Sequence, residues 1–405
     1  MSTESRVFRP ESFGALAYDH RARRLTLLRD PTRVGAAPET LDGVLAAGLS
    51  APVCLSWEWT YGCNLACVHC LSSSGRADAR ELSTEQLCTV ASELAAAGVF
   101  YVNVGGGEPM TRPDFFEVLE HTLATGMGVK FSTNGTLLTR AAAARLAALP
   151  RLDVQISLDG ADAATNDAVR GRGSWRAAGR AMSRLAEAGL TDFKISTVVT
   201  RHNAGQLDAY ERLAEEHGAV LRVTRLRPSG RGQDSWAVLR PTQEQQRTVH
   251  RWLAERPQVL TADSFFHLSA LGQALPGLGR CGAGRLVCLI DPIGDVYACP
   301  FALHEEFRAG SLLNEGGFLR VWREAELFRR LRAPQPAGAC ADCPSLSVCG
   351  SGCMAAKFFT GLPMDGPDPE CVHGHGDTLL ASAVPPTGAP DHGRVPRSLL
   401  PLVTR

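Results

Sequence analysis

The chain has 405 residues, enough at about 150 per domain for two or three domains and a large core, which excludes a small disulfide-stapled fold. Its 42 Lys and Arg balance 42 Asp and Glu, and this zero net charge leaves no basic field to capture nucleic acid or an anionic membrane. With 44% hydrophobic residues, no apolar run of about 18 and no apolar segment at its start, it reads as a globular, cytoplasmic chain without a membrane span.

Residues 1–49 form an N-terminal extension. Within it Arg9 to His20, followed by Arg23-Arg24-Leu25-Thr26-Leu27-Leu28, alternates like a β-hairpin; a disordered extension is the plainer alternative. From 50 to 235, short runs rich in β-branched and aromatic residues alternate with helical segments. The expected strands are 53–59, 99–104, 128–133, 152–158, 193–199 and 219–224. Ser83 and Gln86 make a capping box for a helix that Gly98 stops, Pro113 marks a first turn, and Thr139 opens an Ala-rich helix. Strands joined by crossover helices lie parallel, and six in series curl into a partial barrel whose chemistry sits at the C-terminal strand ends. Residues 236–275 read as a helical connector, 276–375 as a cysteine-rich module folded around metal, and 376–405 as a disordered Gly/Pro/Ala-rich tail.

Thirteen cysteines, an odd number in a reducing compartment, point to metal rather than disulfides. Cys63, Cys67 and Cys70 follow the first expected barrel strand in a C-x3-C-x2-C spacing. Three thiolates on one loop can hold three irons of a [4Fe-4S] cube and leave the fourth open; zinc with His69 as fourth ligand, or three unrelated cysteines, are the alternatives. After the second strand come Gly105-Gly106-Gly107-Glu108-Pro109. The glycines permit close backbone approach and the carboxylate can accept from an ammonium group, although a glycine turn alone is also a plain strand exit.

Together these residues resemble the radical S-adenosylmethionine superfamily, with its C-x3-C-x2-C and GGE motifs in an α/β fold, a partial (β/α)6 barrel. The resemblance implies that Cys63, Cys67 and Cys70 ligate a [4Fe-4S] cluster, that Gly106, Gly107 and Glu108 bind S-adenosylmethionine, and that a 5′-deoxyadenosyl radical is made. The residue before the third cysteine, commonly aromatic, is here His69. Ser157, in Ser157-Leu158-Asp159-Gly160, and Arg170 are implied to face the ribose and carboxylate of the cofactor, against the alternative of ordinary Asp-Gly turn chemistry.

Cys281, Cys288 and Cys299, then Cys340, Cys343, Cys349 and Cys353, then Cys371, provide eight thiolates, the complement of two [4Fe-4S] cubes or of two four-thiolate zinc ribbons. The order resembles the C-terminal iron–sulfur SPASM domain of peptide-modifying radical enzymes. The resemblance implies an auxiliary cluster I on Cys281, Cys288, Cys299 and Cys353, and an auxiliary cluster II on Cys340, Cys343, Cys349 and Cys371, making three clusters in all. Cys288 lies outside the core pattern, and Cys54 and Cys88 remain as packing residues. Sulfatase-maturing relatives carry an acid beside the residue matching Cys299. Here Pro300 stands there, against a base-dependent seryl or cysteinyl oxidation.

The stretches WEWTYGCNLACVHCLSSSGRADARELST, FYVNVGGGEP, TRLRPSGRG, TADSFFHL, CGAGRLVCLIDPIGDVYACPFA and GSGCMAAKFFTGLPMDGPDPEC closely resemble the mycofactocin radical maturase family. That resemblance implies a small ribosomal precursor peptide whose C-terminal Tyr is oxidatively decarboxylated and then joined through carbon to the penultimate Val. It also implies a separate peptide-chaperone protein, a low-potential electron donor, and auxiliary cluster I as acceptor of the released electron. The hairpin near Arg9 to Leu28 resembles that chaperone's peptide-docking hairpin, which works by strand addition. Other readings are a SPASM enzyme forming thioether or other carbon cross-links, and, from a different class, an electron carrier or zinc protein. Neither of the last two accounts for the GGGEP turn.

Overall fold

The computed structural model describes residues 6–29, 43–44, 48–261, 265–272, 275, 280–314 and 316–386. Three antiparallel strands, β1 (Arg6–Glu11), β2 (Gly14–Asp19) and β3 (Arg24–Arg29), form a meander in place of the expected hairpin. Its inner face is apolar, and Phe13, Leu16 and Tyr18 pack with Val53, Phe100 and Leu286. Arg9 anchors it: Nε donates to Glu11 Oε1 at 2.7 Å, and Nη1 to the carbonyls of Pro52 at 2.7 Å and Gly98 at 3.0 Å. Residues 6–29 are thus a docked sheet, not a disordered extension.

The barrel strands follow as β4 (Cys54–Thr60), β5 (Tyr101–Gly106), β6 (Gly128–Thr133), β7 (Leu152–Ser157), β8 (Lys194–Val199) and β9 (Val220–Arg225), all parallel and in sequence order. Every expected strand falls within two residues of an observed one. The helix Thr84–Ala96 begins at the Ser83–Gln86 capping box, and Thr139 caps Arg140–Ala147 by accepting from Ala142 N. Pro113 lies two residues before its helix, Phe115–Ala124, which Asp114 opens.

Alternation along each strand divides the sheet into two faces. Leu55, Trp57, Trp59, Val102, Val104, Val129, Phe131, Val154, Ile156, Ile195 and Val223 enter one core under the helices. Trp57 and Trp59 are fully buried and meet edge to face, each stabilising the fold by about 1.5–3 kcal/mol through burial. The opposite face lines a polar lumen, in which Gln155 Nε2 donates to Ser132 Oγ at 3.0 Å and Lys194 Nζ pairs with Asp153 Oδ1 at 2.6 Å.

The cysteine-rich segment joins the same sheet. β10 (Leu289–Ile290) runs parallel to β4, with Leu289 opposite Ser56 and Ile290 opposite Trp57, and β11 (Asp295–Tyr297) and β12 (Arg308–Ser311) continue antiparallel. The result is a nine-stranded sheet in the order β12-β11-β10-β4-β5-β6-β7-β8-β9. Helices Arg231–Leu239 and Gln243–Ala254 link barrel and cysteine-rich segment. The tail expected to be disordered from 376 instead begins within a helix, His375–Leu380. Asp377 holds it by accepting from Gln243 Nε2 at 2.6 Å; residues beyond 386 lie outside those described.

Candidate active site

The loop after β4 has little regular structure and is pinned from several sides. Cys63 N donates to Gly75 O at 3.0 Å and Val68 N to Val169 O at 3.0 Å. Arg231 donates from its backbone N to Cys70 O, from Nε to Cys67 O and from Nη1 to Ser74 O, each at 2.9 Å. Cys63, Cys67 and Cys70 are half-buried on this loop. Burial pushes the Cys63 thiol up to about 12 and the Cys67 thiol up to about 11, and the nearby Arg170 guanidinium, its Nη1 4.0 Å from Cys67 Sγ, draws the latter back. Such thiols stay neutral until a metal claims them.

The glycine turn at the end of β5 closes onto this loop. A Cβ on Gly106, whose φ is +106°, would stand 2.5 Å from Thr60 O, and one on Gly107 would strike Gly62 O. Bare backbone lets Gly107 N donate to Thr60 O and Glu108 N to Gly62 O, both at 2.8 Å. Glu108 is 1% exposed. It accepts from Thr133 Oγ1 at 2.9 and 3.0 Å, from Asn134 N at 2.7 Å and from Met110 N at 3.2 Å. Burial nevertheless lifts its carboxyl to about 7.

Ser157 ends β7 half-buried on the lumen column, and Arg170 reaches the same neighbourhood, but its partner is protein. Its Nε pairs at 2.6 Å with Asp159 Oδ2, and that oxygen also lies 2.6 Å from His69 Nε2. Asp159 Oδ1 accepts from Val198 N at 2.8 Å. Burial opposes ionisation of Asp159, yet Arg170 and His69 hold its carboxyl well below the usual range. Sequence reasoning missed Asp159 because Asp-Gly is an ordinary turn. The signal was His69, a polar ring at a commonly aromatic position, which needs a partner when buried.

In the C-terminal part, the thiols whose charges reach Cys299 are those of Cys281 and Cys353, while Cys340, Cys343, Cys349 and Cys371 influence one another. The fourth thiol expected in the first group is that of Cys288. It leads into β10, fully buried, with Cys54 and Arg332 as its electrostatic neighbours. Asp368 braces a residue of each group, accepting from Cys353 N at 2.8 Å through Oδ2 and from Cys371 N at 3.0 Å through its carbonyl. Arg225, at the end of β9, forks onto Asp368 through Nη1 and Nη2 at 2.9 and 2.5 Å and reaches Glu370 Oε2 at 2.6 Å through Nε. Among the described residues no three His, Cys, Asp or Glu side chains converge on a single ion position. The donor sets are all sulfur, the chemistry that iron–sulfur clusters take.

Comparison with known proteins agrees with this geometry. The Radical SAM superfamily matches residues 57–213, an iron-sulfur cluster-binding domain of the SPASM type 281–344, and the peptide chaperone MftB family 3–41. These domains bring iron–sulfur clusters and S-adenosylmethionine as cofactors. The stretch from Arg9 to Leu28, which the sequence likens to the chaperone's docking hairpin, lies inside the matched segment 3–41. The chain is 61% identical over 351 residues to "Mycofactocin maturase MftC" of Mycolicibacterium smegmatis, covering 86% of this chain and 90% of that one. It is 62% identical over 337 residues to the protein of the same name from Mycobacterium ulcerans, covering 82% and 91%. Streptococcus suis SuiB, solved with S-adenosylmethionine and with its precursor peptide SuiA, shares the fold at TM-scores of 0.72 and 0.71 and 16% identity, covering 91% of this chain and 99% of SuiB. The chain belongs to the mycofactocin maturase family of radical SAM proteins.

Proposed function

We propose that this chain is the radical S-adenosylmethionine maturase of mycofactocin biosynthesis. It oxidatively decarboxylates the C-terminal Tyr of a small ribosomal precursor peptide and then joins that carbon to the penultimate Val. The observation that carries this reading is the closure of Gly106, Gly107 and Glu108 onto the Cys63–Cys67–Cys70 loop, in a chain 61% identical to a curated mycofactocin maturase. Three [4Fe-4S] clusters are assigned. One is on Cys63, Cys67 and Cys70, one on Cys281, Cys288, Cys299 and Cys353, and one on Cys340, Cys343, Cys349 and Cys371. When bound, these clusters and S-adenosylmethionine supply the 5′-deoxyadenosyl radical and the acceptor for the electron that leaves on decarboxylation.

The chain's own residues prepare the site. Glu108 receives the cofactor's ammonium group, and Ser157 faces its ribose. Asp159, through His69 and Arg170, fixes the cysteine loop against β7. The polar lumen admits the peptide's C-terminus, and the N-terminal sheet docks the precursor along β3, whose outer edge is unpaired among the described residues. A low-potential electron donor and a reducing cytoplasm complete the setting. Anaerobic incubation with precursor, reductant and S-adenosylmethionine, read by mass spectrometry, tests this. Loss of carbon dioxide plus two hydrogens is expected, and loss of two hydrogens alone would instead identify a cross-linking SPASM enzyme.

A further inference from the structure

A cavity of about 450 Å³ lies at the opposite end of the barrel from the cysteine loop. Its floor is the start of β5, β6 and β7, and its wall is the turn between β2 and β3. The charges within it are unbalanced. Asp153 is taken by Lys194 Nζ at 2.6 Å and by Arg23 Nε at 3.6 Å, and Asp192 by Arg23 Nη2 at 2.9 Å. Lys130 is answered only by an aromatic face, its Nζ 4.2 Å from the centre of the Tyr101 ring, and it makes no ion pair among the described residues. Arg151 lines the cavity and gives Nη2 to Leu123 O at 2.6 Å, and Arg21 stands exposed at the rim. Both acids are therefore neutralised internally, while Lys130, Arg151 and Arg21 bring to the open cavity positive charge that no carboxylate among the described residues pairs. Arg222 and Lys194 stand close enough to depress Lys130 further, with burial the larger cause and Cys54 and Asp153 opposing.

We infer that this cavity binds a carboxylate side chain of the precursor peptide, an Asp or Glu upstream of the modified C-terminus; the inference rests on the peptide-modifying reading above. Free phosphate would suit the same cations, but the wall favours a peptide. Tyr18, His20, Arg21 and Arg23 all belong to the segment that matches the peptide-chaperone family, and β3 starts at Arg24 on the cavity's rim. A strand laid along the free edge of β3 brings its side chains to the mouth of the cavity. Ammonium and guanidinium groups there would meet the carboxylate in charge-assisted hydrogen bonds. The barrel strands separate this pole from the glycine turn by six residues, about 20 Å. The anchoring acid therefore lies at least about six residues before the modified Tyr.

The test uses the whole iron-loaded protein and a fluorescein-labelled precursor in two versions, native and with every Asp and Glu changed to Asn and Gln. Binding is read by anisotropy. Lys130→Met keeps the aliphatic stem over Tyr101, and Arg21→Glu reverses a charge on an exposed side chain that the fold does not need. Both are expected to weaken the native precursor about tenfold or more, and to leave the amide version, already weak, unchanged. Equal affinity of wild type and both variants for the native precursor overturns the inference while leaving the maturase reading intact. Loss of inorganic phosphate binding in Lys130→Met with precursor affinity unchanged identifies a free-anion site and also overturns it. A wild-type protein that neither binds nor modifies the precursor overturns the maturase reading itself.

Discussion

Asp159 Oδ2 stands 2.6 Å from His69 Nε2, a contact that ties the strand-end loop after β7 to the loop that carries Cys67 and Cys70. With Arg170 Nε at 2.6 Å from the same oxygen, one buried carboxylate answers a guanidinium and an imidazole from two different elements. Asp159→Asn leaves the buried Arg170 without its counter-charge and is expected to destabilise the protein by about 3–5 kcal/mol, measured by urea unfolding, with iron lost from the cysteine loop. Because the carboxyl is held below its unfolded value of about 3.9, its contribution is fully present above that pH and is lost as pH falls below it. The gap between wild type and Asp159→Asn therefore closes in acid.

Glu108 gives a second pH signature, from a carboxyl shifted in the opposite direction. Burial lifts it to about 7, so in the free protein below that pH it is mostly neutral, whereas an ammonium partner favours the carboxylate. Cofactor binding should release a proton, and affinity for S-adenosylmethionine should rise with pH by up to about tenfold per unit below the shifted value, then level off. Calorimetry in two buffers of different ionisation enthalpy reads the proton. Glu108→Gln is expected to bind weakly and without pH dependence.

Iron content tests the assignment of Cys288 to the same cluster as Cys281, Cys299 and Cys353. Cys299→Ala should lose about four irons per chain with the corresponding EPR signal. Cys288→Ala should lose the same four irons. Full iron in Cys288→Ala, against loss in Cys299→Ala, would remove Cys288 from the ligand set.

Gly107→Ala forces a methyl group into Gly62 O and should open the turn away from the cysteine loop, abolishing S-adenosylmethionine binding. At Gly105 a methyl group meets nothing within 4 Å, so Gly105→Ala should melt with the wild type. Differential scanning calorimetry and equilibrium dialysis compare the two.

Much of this was legible in the sequence because it is local. The β-branched runs from Cys54 to Arg225, the Ser83 capping box and the glycines of the GGGEP turn each follow from neighbours a few residues away. What escaped was long-range. Residues 289–290 look like any short apolar run, and only tertiary contact decides that they pair with β4. Arg225 meeting Asp368 and Glu370, or Asp159 meeting His69, are pairings of charges across the fold that no spacing announces. The helix at His375 was hidden by a Gly-rich composition that its hydrogen bond to Gln243 overrides.

The pairing of β10 with β4 also sets the order of assembly. Ser56 and Leu289 lie opposite each other but leave the ribosome 233 residues apart, so the edge of β4 waits unpaired through most of translation. An open, apolar strand edge is a template for aggregation. Its protection arrives only with the cysteine-rich segment, whose own folding depends on metal. A cell short of iron would therefore accumulate this chain as insoluble material rather than as an inactive, soluble apoprotein.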